Sequence, residues 1–234
     1  MGNSIIFGGK SSREYGIYIS GAQTFGAPER DVETVEIPGR NGNLIIDNGR
    51  LKNITVSYPA YIRVDFPRMA AAARNWLLAK PGYRRLEDTY SPNFYRMARF
   101  SGPLDFDARF LNQSAECTLS FDCMPQRFDK RGEYTIRLQS PKTLINPYPF
   151  PALPLIRVYG SGVGNLMVGN TVVQIKDIDG YMDIDSDTQN AFKGSVNCNA
   201  QIYAPEFPVL EGKTGIAWEG EIKHVEITPR WWTI

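Results

Sequence analysis

VEIPGRNGNLIIDNGRLKNIT, residues 35–55, is the stretch on which the reading of the fold turns. Two Asn-Gly pairs, Asn41-Gly42 and Asn48-Gly49, bracket the short apolar run Leu44-Ile45-Ile46. Asn-Gly suits tight hairpin turns, because Gly has no Cβ and Asn tolerates the left-handed backbone that such turns demand. Pro38-Gly39 precedes the first pair. Ile54-Thr55-Val56-Ser57-Tyr58 follows the second, alternating apolar and polar as a half-buried strand does. The expected order is strand, Gly-rich loop, strand, turn, strand.

The rest of the chain agrees with a β protein. Its 234 residues allow one large domain or two small ones with properly buried cores. Hydrophobic residues make up 42% and charged residues 22%, as in an ordinary globular protein. With 21 Gly, 16 Pro and only short apolar runs, the pattern is many brief strands joined by turns. A formal net charge of +1 supplies no long-range field for nucleic acid or acidic membrane. No run approaches the roughly 20 apolar residues that a membrane-spanning helix needs. The start, Met1-Gly2-Asn3-Ser4-Ile5-Ile6, lacks the basic opening and apolar core of a secretory signal, so a cytoplasmic site of synthesis is expected.

One helix is predicted, Pro67 to Ala79, with Asp65 as N-cap and Pro81-Gly82 as the stop. Short strands are expected around Ile5 to Phe7, Tyr15 to Ile19, Tyr95 to Phe100 and Asp105 to Phe110, with Gly21 to Asp31 as loop. Along Glu116 to Cys123 the residues Cys117, Leu119, Phe121 and Cys123 share one face. About 20 Å separates the two thiols at ~3.3 Å per residue, so they cannot pair within the strand. All three cysteines, with Cys198 on a Val196–Ile202 strand, read as small core residues. Five prolines between Gln139 and Pro154 suggest a stiff connection at 141–154, between domains at 1–140 and 155–228. The second part reads as a small sandwich of short strands.

Little chemistry is offered. His224 is the single histidine and falls on the polar face of the last strand, beside Glu226 and without a nucleophile motif. Asp183, Asp185 and Asp187 imitate the start of a calcium loop, but Thr188 and Gly194 stand where Gly and Glu belong. Alternation instead puts Asp183 and Asp185 on the outer face of a strand. Gly160-Ser161-Gly162-Val163-Gly164 has neither the Lys-Ser/Thr nor the helix of a phosphate loop. No catalytic residue, metal or cofactor is expected, and the chain does not read as an enzyme. Arg84, Arg85, Arg96 and Arg99 among Tyr83, Tyr90 and Tyr95 suit a nucleic-acid face or, equally, a protein interface; the small net charge favours the second.

Four stretches together resemble the distal tail proteins of long-tailed bacteriophages and prophages. They are Val35-Glu-Ile-Pro-Gly-Arg-Asn-Gly42; Tyr83-Arg84-Arg85-Leu86 with Tyr95-Arg96-Met97-Ala98; Phe121-Asp122-Cys123-Met124-Pro125; and Pro229-Arg230-Trp231-Trp232. The resemblance implies a tube-like N-terminal β domain and a C-terminal sandwich likened to galectins. It also implies a hexameric ring, a virion structural protein, at the distal end of the tail tube. That ring would join tube to tail tip or baseplate and line a channel through which DNA passes without specific binding. The partners implied are other copies of the chain, the tail-tube protein and a tail-tip or tail-associated protein, with assembly in the bacterial cytoplasm. Pro38, Gly39, Arg40, Asn41 and Gly42 are the expected subunit contacts. Trp231 and Trp232 are expected to leave the second domain and dock segment 229–234 on the first. A carbohydrate-binding adhesion module is the alternative, with Tyr181, Tyr203 and Trp218 as possible sugar platforms.

Overall fold

A computed structural model describes residues 3–21, 26–63, 65–109 and 113–234. Among the described residues the chain is mainly β with one α-helix. It divides into two compact units, the second running from Phe128 to Thr233.

The first unit holds β1 (Ile5–Phe7), β2 (Lys10–Ser11), β3 (Ile17–Ile19), β4 (Arg30–Val35), β5 (Leu44–Leu51) and β6 (Ile54–Ile62). Helix α1 (Phe66–Leu78) follows, then β7 (Arg84–Asp88), β8 (Phe94–Phe100), β9 (Phe106–Arg109) and β10 (Ser114–Cys123). An antiparallel sheet runs β2-β1-β7-β8-β10-β6-β3, with β9 also on β10. The expected loop at 21–31 gives way to β4 at Arg30, and its residues 22–25, like Phe110 of the expected 105–110 strand, lie outside the described residues. Alternation along β6 and β10 sends Val56, Tyr58, Leu119, Phe121 and Cys123 to one face, where α1 buries Ala73, Trp76 and Leu77. The Trp76 indole stacks on Tyr15 at 4.6 Å and its Nε1 donates to the Phe7 carbonyl at 3.0 Å. Asp65 is the N-cap by position, but its carboxylate caps nothing and pairs with Arg68.

β11 (Arg127–Asp129) spans the division. The second unit then carries β12 (Ile136–Leu138), β13 (Lys142–Ile145), β14 (Leu155–Val168), β15 (Thr171–Asp185), β16 (Asn190–Lys193) and β17 (Val196–Asn197). It ends with β18 (Ile202–Tyr203), β19 (Lys213–Thr228) and β20 (Trp232–Thr233). The sheet order is β12-β19-β14-β15-β16-β17, with β13 on β19 and β18 on β15. The expected Pro-rich connection at 141–154 is corrected. β13 pairs with β19, and Ala152 exchanges hydrogen bonds of 3.0 and 2.9 Å with Leu210. Prolines here occupy positions that donate nothing, while Asn146 and Ala152 between them donate to the unit's own backbone.

Segments expected as separate short strands are halves of long ones. β14 runs unbroken through Gly160 to Gly164, and β19 joins Thr214–Trp218 to Glu221–Thr228. Both bend where glycines face one another: Gly160 opposite Gly180, and Gly164 opposite Gly220, with register shifts between them. A Cβ at Gly220 would stand 2.6 Å from the Val163 carbonyl oxygen, and one at Gly164 2.8 Å from that of Glu219. Only glycine lets the backbones approach so closely, and the bend folds the two halves over one core. Ile156 and Val158 from one half and Leu166 and Val168 from the other are all buried in it. The expected Val196–Ile202 strand is interrupted by a 3₁₀ turn at Asn199–Gln201, although Cys198 is buried as expected.

Gly220 and Gly180 both have positive φ, 77° and 79°, but only Gly220 is crowded. Gly180→Ala therefore incurs the left-handed penalty alone, about 1–2 kcal/mol. Gly220→Ala adds a backbone clash and should lower the melting temperature of the second unit at least twice as far. Equal shifts in thermal unfolding would refute the role given to this corner.

Candidate assembly surface

Residues 30–51 form a two-stranded ribbon apart from either main sheet. Pro38-Gly39 turns the chain at its tip: Gly39 has φ 78°, and the Arg40 N–H donates to the Ile37 carbonyl at 3.1 Å. Asn48-Gly49 is not the second hairpin turn expected. β5 continues through it as a bulge, with Asn48, Gly49 and Arg50 opposite Asp31 alone. The Asp47 carboxylate accepts from the Gly49 N–H at 2.8 Å and so offers this backbone a partner off the ladder. Two residues, Lys52-Asn53, then lead into β6.

Every residue from Val32 to Arg50 is exposed. Directly opposed residues share a face of the ribbon. Val32 with Asp47 and Thr34 with Ile45 lie on one side, Glu33 with Ile46 and Val35 with Leu44 on the other. Both faces are therefore apolar in part, and Ile45 is 66% exposed. Ion pairs Arg30–Asp47 at 3.1 Å and Arg50–Asp31 at 2.6 Å join the strands, and Arg50 holds the Asp31 carboxyl below its usual range. Such exposed pairs fix register more than they stabilise. Pro38, Gly39, Arg40, Asn41 and Gly42 all sit at the exposed tip.

The arginine and tyrosine motifs meet in the first sheet, where β7, β8 and β10 set Arg84 and Cys123 on either side of Ala98. Most of these side chains bind the chain itself. Arg84 donates to the Leu77 carbonyl at the C-terminus of α1 (3.1 Å) and lies 4.0 Å from the Phe7 ring centroid. Arg96 donates to the Pro125 carbonyl at 3.0 Å, Arg99 to Asp122 at 2.7 Å, and Arg85 covers Tyr95 at 3.9 Å. Of the β10 thiols, Cys123 is buried and pushed up to about 12 by burial, whereas Cys117 is half-buried at about 11. Cys117 is thus less enclosed than the alternation predicts; it lines an open cavity of about 540 Å³.

Asp183 and Asp185 correct a second expectation. They are not on an outer, solvated face: they are 3% and 7% exposed, because guanidinium groups cover them. Arg157 grips Asp183 through two bonds of 2.7 and 2.8 Å, and Arg230 grips Asp185 at 2.6 and 3.0 Å. Beside the first pair, His224 stacks on Tyr159 at 4.3 Å, and Arg157 lies over Tyr181 at 4.7 Å. Burial, with the Arg137 and Lys223 charges, holds His224 below its ordinary value against the pull of Glu226.

Arg230 also fixes the C-terminal motif. Its N–H donates to the Gly132 carbonyl at 2.8 Å, and the Trp231 carbonyl accepts from the Asp129 N–H at 2.9 Å. Trp231 is buried in the second unit's core. Trp232 stacks on Phe150 at 4.5 Å and donates to the Pro151 carbonyl at 2.9 Å. Both indoles therefore belong to the second unit, not to the first domain as expected.

Residue by residue, then, the site is an exposed ribbon on one unit and a sandwich whose charged motifs are consumed internally. The crystal structure of SPP1 Dit, described as a paradigm of the hub adsorption apparatus in phages infecting Gram-positive bacteria, matches it at a TM-score of 0.78 and 12% identity. That match covers 99% of each chain. The chain has the distal tail protein fold. A chain of the phage P2 baseplate in its activated conformation with calcium matches at a TM-score of 0.55 and 9% identity, over 97% of each. The same baseplate with strontium gives 0.55 and 9%, over 97% of this chain and 96% of that one. No protein-family model matches the sequence, nor does any curated protein. At these identities the likeness is one of fold.

The Asp185 carboxyl carries opposed influences. Burial raises its pKa, while Arg230 and the N–H groups of Asp187 and Thr188 lower it further, so the balance lies below the usual value. A depressed folded value means that the stabilisation is present above the unfolded carboxylate pKa of about 3.9 and lost as pH falls through the folded one. Asp185→Asn should flatten the acid limb of the stability profile below about pH 4. An acid limb identical to the parent's in a urea titration series would contradict this.

Proposed function

We propose that this chain is a structural phage tail protein whose copies close into a ring at the distal end of the tail tube. One observation carries the reading: the ribbon from Val32 to Arg50 has no buried residue, yet presents apolar side chains on both faces. A two-stranded ribbon is marginal alone, and open strand edges invite pairing. Closed symmetry covers each copy's ribbon with its neighbour and leaves no copy unsatisfied. Pro38, Gly39, Arg40, Asn41 and Gly42 are then subunit contacts at the tip. The fold shared with SPP1 Dit and the phage P2 baseplate chain supports a hub role, and the six-fold number rests on the family resemblance.

The first unit suits a channel wall. Opposite the face covered by α1, β6 and β10 present Thr55, Ser57, Thr118 and Ser120, with Ser57 and Ser120 hydroxyls 3.0 Å apart. The charges flanking them on this face are paired, Asp122 with Arg99 at 2.7 Å and Glu116 with Arg109 at 3.0 Å. A hydroxyl-rich wall with paired charges lets DNA pass without holding it. The tail-tube protein and a tail-tip protein are the remaining partners, and the assembled site is the virion tail. No catalysed reaction is part of this function.

Ile45→Asp and Arg40→Glu should each shift the protein toward monomer in native mass spectrometry or light scattering across a concentration series. The change is expected without loss of melting temperature, since neither residue is buried. Where the parent assembles only with its tail-tube and tip proteins, the variants should fail in that mixture. A parent that stays single in the mixture would end this reading.

A further inference from the structure

Three aromatic residues of the second unit suggest themselves as sugar platforms, and their surroundings separate them. Tyr181 is covered by Arg157 at 4.7 Å and approached by Lys193 at 5.6 Å. Trp218 is half-buried against the core. Tyr203 is 58% exposed, and among the described residues no ring or cation lies on its face. It stands on β18 opposite Gln174 of β15, in a cross-strand row that continues through Asn165 to Glu219. An open cavity of about 380 Å³ adjoins it, lined by Asn170, Thr171, Val172, Gln174, Tyr203 and Glu206. Small-ligand sites typically have volumes of about 300–1,000 Å³, an apolar or aromatic wall and a few convergent polar groups.

We propose that this cavity is a binding site for a neutral saccharide. A pyranose ring lays its C–H face on a free aromatic ring. Its vicinal hydroxyls then need paired donors and acceptors such as the amides of Asn170 and Gln174 and the Thr171 hydroxyl. Among the described residues, none of these three side chains, nor that of Glu206, is engaged in a hydrogen bond. By contrast the neighbouring Asn165 is spent on Glu219 at 2.6 Å. Glu206 disfavours phosphate and carboxylate ligands. The cation on the same strand, Lys176, is turned to the Ala200 carbonyl at 3.3 Å. The proposal does not rest on ring closure, and its failure would leave that reading standing.

The probes are glucose, galactose and N-acetylglucosamine, with glucuronate as the anionic comparison, followed by saturation-transfer NMR on the full chain. At least one neutral sugar should bind with a Kd near the millimolar range, and glucuronate more weakly. Tyr203→Ala should weaken binding at least about tenfold, whereas Tyr203→Phe keeps the ring face and should retain it. Gln174→Ala should weaken it by a smaller factor. Both positions are exposed, so the melting temperature should not move and serves as the control for folding. Absence of binding by every neutral sugar, or binding unchanged in Tyr203→Ala, would overturn the proposal.

Discussion

An open strand edge carries backbone donors and acceptors that must find partners, and this constraint governs both units. In the second unit, long strands bend at facing glycines and wrap one core, so that a single sheet becomes two layers. In the first, α1 covers one face of the sheet and leaves the other hydroxyl-rich. The ribbon of β4 and β5 is the exception. It has neither a covering layer nor a buried residue from Val32 to Arg50, and the account of function rests on what covers it.

Charge is used differently from what motif composition suggests. Arginines that could have formed a basic surface close contacts within their own unit: Arg84 on the end of α1, Arg99 on Asp122, Arg157 on Asp183 and Arg230 on Asp185. Two-pronged arginine–carboxylate pairs fix direction as well as distance, which suits residues that hold a sandwich edge and a chain terminus in place. The motifs that resemble distal tail proteins are in large part the scaffold of the fold. Among those motifs, Pro38 to Gly42 at the ribbon tip remain exposed.

Much of this was legible in the sequence, because period-two alternation and an alanine-rich helix bounded by prolines are local signals. The mainly β fold, α1 and the inward face of β10, apart from Cys117, follow from them. What escaped was set by tertiary approach. Gly160 and Gly164 look like a break between strands, and only the opposing Gly180 and Gly220 make them a bend. Asn48-Gly49 has the residues of a hairpin turn, but Asp47 and the register with Asp31 absorb it as a bulge. Proline spacing hid the pairing of β13, and alternation placed Asp183 and Asp185 outside without seeing the arginines that cover them. At the ribbon, the tip residues were legible from the turn chemistry of Pro38-Gly39. The exposure of both faces was not, since a lone apolar run such as Leu44-Ile45-Ile46 usually marks a core.

The central claim is that a neighbouring copy covers the ribbon. Amide hydrogen exchange at residues 44–50 measures this directly, compared between dilute single chains and the assembled ring formed alone or with the tail-tube and tip proteins. The account predicts rapid exchange in the single chain and protection of these amides on assembly, with β10 slow in both. Equal, rapid exchange of residues 44–50 in a ring whose assembly is otherwise established would contradict it.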